Sequence, residues 1–201
     1  MTTLDPQHTA VLTMELQRGI CGDLSPMAAL TRLVDEAGLP KAVARLLEAA
    51  RPAGARVVHC TFELRADRAG TSLRPAMMAA LARRPEYLLE GTDAVALLPG
   101  LGPEPGDLVS ARRHGFTPFL GTDLDLWLRN MGVDTVVVTG VTLNMGIIGA
   151  ALEAVNLGYA VDVPTDAVIG MPVEYGEAVL RNSLAPIVTL TTVAEVISAW
   201  A

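Results

Sequence analysis

Apolar positions along this chain fall into two alternating kinds of run. Residues 9–14, 55–62, 107–111, 134–139, 160–163 and 187–190 are short, largely β-branched stretches, which predicts strands. Residues 40–50, 75–84, 142–156, 174–180 and 193–200 carry longer helical patterns, and Leu46 and Leu47 mark the apolar face of the first. A further helix opens at Gly121-Thr122-Asp123 and runs through Trp127 and Arg129, while the Gly/Pro-rich stretch 99–105 is loop. Several predicted strands are apolar throughout rather than alternating, the pattern of strands covered on both faces. The expected fold is therefore an α/β, three-layer α/β/α sandwich around a six-stranded, mainly parallel, Rossmann-like sheet.

Composition narrows the function classes. With 201 residues the chain suits one domain, taken as residues 1–201. Hydrophobic residues make up 51%, which excludes a disordered chain. No apolar run reaches the roughly 18 residues of a membrane span, so no membrane partner is expected. Met1-Thr2-Thr3-Leu4-Asp5 has an acid and no basic start, so no secretory leader is expected. Cys21 and Cys60 are too few for a disulfide framework, which points to a reducing, cytoplasmic setting. A net charge of −7 argues against a nucleic-acid partner. His8, His59 and His114 stand apart and no Cys-x-x-Cys occurs, so neither a metal nor another cofactor is expected.

In parallel sheets, ligands sit at the carboxyl ends of strands. Glu15 and Gln17 follow the first predicted strand, Glu63 the second, and Arg112, Arg113 and His114 the third. The fourth runs into Gly140-Val141-Thr142-Leu143-Asn144-Met145-Gly146, where Thr142 or Asn144 suits a helix cap. The first turn of that helix offers N–H groups to an oxyanion or a carboxylate. Each feature also has a plainer reading: a structural carboxylate, a solvated arginine pair, an ordinary helix start. The eight methionines, Met14 and Met145 among them, read as core filler.

The segment His114-Gly-Phe-Thr-Pro-Phe-Leu-Gly-Thr-Asp123, together with Gly132-Val133-Asp134-Thr135, Val138-Thr139-Gly140-Val141, Asn144 and the run 154–159, resembles the isochorismatase-like (cysteine hydrolase) superfamily. The resemblance spans about Thr9 to Trp200 and implies a small-molecule substrate and self-association as a dimer or larger homo-oligomer. It further implies an Asp after the first strand, a Lys before the Ser-Ala-Phe segment and a Cys at the helix start after the fourth strand. By register with these, the present chain has Glu15, Arg113 and Gly146. Phe119 matches the aromatic of the Ser-Ala-Phe segment, and Val141–Thr142 stands where the family often has a cis peptide.

Glycine has no nucleophile to offer. Glu15 reaches about 1.5 Å further than Asp, and Arg113 cannot shuttle a proton as Lys can. The expected function is a hydrolase acting on a small anionic or carbonyl-bearing molecule without a covalent intermediate. Glu15 would be the general acid or base, Arg113 the electrostatic clamp, and the helix start at Gly146 the oxyanion or carboxylate site. Phe119, Thr142, Asn144, Met145 and Glu63 would line the substrate. Two alternatives stand beside it: an inactive family member that binds a small molecule or serves as an oligomeric partner, and an amidase with a relocated nucleophile such as Cys60.

Overall fold

The computed structural model describes residues 4–201; Met1–Thr3, on which the leader reading partly rests, lie outside the described residues. Its strands are β1 (Thr9–Met14), β2 (Arg56–Phe62), β3 (Leu108–Arg112), β4 (Thr135–Val141), β5 (Ala160–Pro164), β6 (Val168–Ile169) and β7 (Thr189–Thr191). Six of them form a sheet in the order β3-β2-β1-β4-β5-β7, with every pair parallel. The two-residue β6 adds to the end of β4 and brings the sheet to seven strands. It is too short to leave a hydrophobic pattern in the sequence.

Alternation within the strands builds two cores. Val11, Val57 and Val137 face α2 (Ala28–Glu36), α3 (Leu39–Ala53) and α8 (Val193–Ala199). Their neighbours Leu12, Val58, Val136 and Val138 face α5 (Leu124–Asn130), α6 (Ile148–Asn156) and α7 (Val173–Val179). Both sides of β1 are thus covered and all six of its residues are buried. A four-residue helix α1 (Arg18–Cys21) follows β1, and α4 (Ala76–Ala82) lies in the long connection from β2 to β3. Among the described residues no helix is long and apolar enough to cross a membrane.

The chain runs from β1 to β2 and β3 on one side, then returns to place β4 on the other side of β1. The strand order reverses between β1 and β4, and a crevice opens at such a point on the carboxyl edge. Glu15 leaves β1 there and Thr142 leaves β4 there. Gly140 makes the close approach possible: its φ is 108° and its Cα packs against the Met14 backbone, where a Cβ would collide. The Val141–Thr142 peptide is cis.

Candidate active site

A pocket of about 160 Å³ opens at this crevice, with Glu15 and Arg112 as its only charged lining residues among the described residues. Glu15 has a left-handed backbone (φ 54°), uncommon outside glycine. Five hydrogen bonds hold the loop in which it sits. The Glu15 N–H donates to the Cys60 carbonyl at 2.9 Å, and the Gln17 N–H to the Glu15 carbonyl at 2.8 Å. The fully buried Gln17 side chain accepts from the Phe62 N–H at 2.7 Å. Its Nε2 donates to the carbonyls of Phe62 and Val95 at 3.0 and 2.9 Å. Gln17 thus joins the end of β2 to the loop after β1, so that the carboxylate of Glu15 emerges at the sheet edge.

The cation that meets Glu15 is Arg112, whose Nη2 donates to Glu15 Oε1. Arg112 is the last residue of β3, its side chain only 2% exposed, and its guanidinium lies 5.1 Å from the centre of the Phe62 ring. Its buried Nε has no partner among the described residues. Arg113 does not join the pair, contrary to the register expectation. Successive residues of an extended chain point to opposite sides, and Ser110 and Arg112 are buried while Val109 and Ala111 are exposed. Arg113 therefore turns outward and binds Glu63 at 3.3 Å and Glu90 at 2.7 Å, its side chain 47% exposed.

Two further expectations are corrected by the same geometry. Glu63 lies outside the pocket, held in that surface cluster with Arg113. Phe119 is buried in the core on the α5–α6 side, its ring centre 6.0 Å from that of Tyr159, and does not line the pocket. Glu153 fixes this arrangement by accepting from Thr117 Oγ1 at 2.7 Å and from the Phe119 N–H at 3.2 Å. The aromatic ring that reaches the pocket from this segment is Phe116.

Thr142, Asn144, Met145 and Gly146 do line the pocket. The turn they form is wider than an α-helical one, a π-turn over Leu143–Ile147. The N–H groups of Met145 and Ile147 both donate to the Thr142 carbonyl at 3.1 Å, so two of the expected anion donors are already engaged. Asn144 does not cap the helix; its side-chain oxygen accepts from the Met171 N–H at 3.4 Å. A Cβ on Gly146 would lie 3.1 Å from the Val141 carbonyl oxygen and 3.3 Å from the Met14 methyl, so Met14 crowds the space a side chain there would enter.

Neither cysteine lines the pocket. Cys60 lies in the core on the α5–α6 side of β2, and burial pushes its thiol up to about 12. Cys21, at the end of α1, is likewise raised to about 12, mainly by burial. Thiols held protonated in this way are poor nucleophiles, and with Cys60 outside the pocket lining the relocated-nucleophile alternative gains no support from its position.

The sequence reading missed Arg112 and Tyr87 as pocket residues. Strand parity within β3, extended by one residue, would have found Arg112. Tyr87 comes from the loop after α4, and burial followed by the charge of Glu15 raises its phenol pKa. No local sequence signal marks it. No group of three or more His, Cys, Asp or Glu side chains suited to a metal occurs among the described residues.

Comparison with known proteins agrees with this architecture. A family model described as the isochorismatase domain matches residues 9–195. The uncharacterized isochorismatase family protein YwoC of Bacillus subtilis is 32% identical over 183 residues, covering 89% of this chain and 86% of that protein. A ureidoacrylate amidohydrolase of Methylorubrum extorquens is 34% identical over 152 residues, 70% of this chain and 61% of that protein. Among solved structures, a cysteine hydrolase from Pseudomonas syringae pv. phaseolicola superposes with a TM-score of 0.86 at 25% identity, covering 100% of this chain and 95% of that one. The N-carbamoylsarcosine amidase of Thermoplasma acidophilum shares the fold, with a TM-score of 0.72 at 21% identity over 92% and 96% of the two chains.

Proposed function

This chain belongs to the isochorismatase family, and from that premise we propose that it hydrolyses a small carbonyl-bearing molecule without a cysteine nucleophile. One observation carries the reading: Glu15, Arg112 and Gly146 share the wall of one pocket, while both thiols lie off it in apolar surroundings. In this reading Glu15 takes a proton from a water molecule as the water oxygen attacks the carbonyl carbon. Negative charge develops on the carbonyl oxygen, for which the Gly146 N–H is the assigned donor. Protonated Glu15 then returns the proton to the departing nitrogen or oxygen, and the acid product leaves. Arg112 orients the carboxylate and takes up the clamp role expected of Arg113. The carbonyl-bearing part of the sequence expectation fits better than the anionic part, because the pocket's cation is already paired.

The same closed ion pair supports a second reading, in which the pair is structural and the protein binds its ligand without turnover. Self-association and a cytoplasmic setting remain part of the proposal, as does a single domain. A screen of amides, esters and vinyl ethers with the wild type and Glu15→Gln separates the two readings. Hydrolysis by the wild type and a loss of about 100-fold or more in Glu15→Gln is the expected outcome. Equal rates in both proteins would remove Glu15 from the mechanism, and tight binding with no turnover would establish the second reading.

A further inference from the structure

Five of the eight methionines line this one pocket: Met27, Met77, Met78, Met145 and Met171. They arrive from separate segments. Met27 precedes α2, Met77 and Met78 belong to α4, Met145 lies in the turn after β4, and Met171 lies just before α7. These side chains are not core filler as a group. The large, fully buried positions of this protein are mostly leucines, whereas Met77 and Met145 remain 40% and 41% exposed. Phe62, Phe116 and Leu81 complete much of the remaining wall.

We infer that the pocket takes a neutral molecule with a hydrocarbon body about the size of one six-membered ring and a single polar, carbonyl-type head. The inference rests on the proposed hydrolase site and names its substrate class. Size follows from volume: about 160 Å³ is available, and a cavity of roughly 150 Å³ lined by apolar side chains admits benzene. Neutrality follows from charge, because among the described residues the one lining cation is already joined to the one lining carboxylate, and the unpartnered Nε of Arg112 is itself buried. A ligand anion placed there would meet Glu15 and leave its own charge without a fresh partner in apolar surroundings. The hydrocarbon body follows from the wall, where thioethers supply polarisable, adaptable contacts and no directional hydrogen bonds. One polar end follows from the placement of Glu15 and Arg112 together.

Calorimetric titration of the full chain with four probes tests this: cyclohexanecarboxamide, cyclohexanecarboxylate, acetamide and ureidoacrylate. Cyclohexanecarboxamide is expected to bind at least about tenfold tighter than its carboxylate, because burying an unpaired charge is costly. It is expected to exceed acetamide by a similar factor of about ten, from the apolar area it buries. The double substitution Met77→Gln and Met145→Gln, at half-exposed positions, should weaken the ring amide by about fivefold while leaving acetamide within about twofold. Unchanged thermal unfolding of the double variant shows that its fold persists. Carboxylate or ureidoacrylate binding as tightly as the ring amide would overturn neutrality. Acetamide binding equally well, or no binding of the ring amide, would overturn the hydrocarbon body. Selective binding without hydrolysis would sink the proposed chemistry alone, whereas hydrolysis of ureidoacrylate or short amides with no ring preference would sink this inference alone.

Discussion

Two buried clusters of charge lie on neighbouring strands of this protein, and only one of the two borders a pocket. At the sheet edge, Glu15 meets Arg112 beside an open pocket. Under α3, Thr13 Oγ1 lies 2.8 Å from His59 Nδ1, and His59 Nε2 lies 3.3 Å from Asp107 Oδ2. Arg51 Nη2 and the Glu104 N–H each donate to Asp107 at 2.8 Å. By residue type, the hydroxyl, imidazole and carboxylate of the second cluster look more like nucleophilic machinery than the first does. The structure argues otherwise. Thr13 is 1% exposed, His59 is fully buried, and neither borders the pocket. Their polar atoms face one another, so the network fastens β1, β2 and α3 together. Chemistry needs access as well as suitable groups, and only the Glu15–Arg112 pair has it.

The sharpest challenge to this contrast is Arg112→Ala. Removing one partner of a buried pair leaves Glu15 uncompensated, and the expected loss is about 3–5 kcal/mol of stability, read from urea unfolding, together with loss of hydrolysis. A variant that keeps full activity per folded molecule would make the pair a structural brace like the other cluster.

Asp107→Asn is the matching experiment under α3. It weakens the contacts to Arg51 and His59 and is expected to cost about 1–3 kcal/mol of stability. Turnover per folded molecule should stay within about twofold of wild type. A much larger fall in turnover, with the fold intact, would mean that the two clusters are coupled and the contrast is false.

The smallest effect is a pH dependence. Burial, the leading cause, lowers the His59 pKa below its ordinary value despite the neighbouring Asp107. The unfolded chain therefore binds a proton more readily than the folded one, and stability falls as pH drops from about 6.5 through the folded value. The slope for this one group is at most about 1.4 kcal/mol per pH unit. His8 acts in the opposite direction, since its bond to the Gly132 carbonyl raises its pKa. Comparing wild type with His59→Gln isolates the buried group, because both proteins keep His8. Urea midpoints of the variant should be flatter across this range; parallel curves would show that His59 does not carry the acid sensitivity.

Much of the fold was legible before any coordinates. The strand at Thr9–Met14 was read with both ends right, and the other five predicted strands differ from the observed ones by one or two residues at their ends. Glu15 was singled out by asking which residue follows β1, and Gly146 by its register with the resembling family's Cys. The choice between Arg112 and Arg113 was not legible, because it depends on one step of strand parity at a boundary. His59 was read as an isolated histidine, since Thr13 and Asp107 lie 46 and 48 residues away along the chain.

Sequence by itself determined the alternation of strand and helix, the absence of a side chain at Gly146 and the carboxylate at Glu15. Those are local properties, carried by residue type and period. Tertiary structure alone decided which arginine meets Glu15, that both thiols are buried off the pocket, and that five methionines converge on one wall. Such features depend on where distant segments cross. A thioether reads the same in the sequence whether the fold sends it into a core or into a pocket.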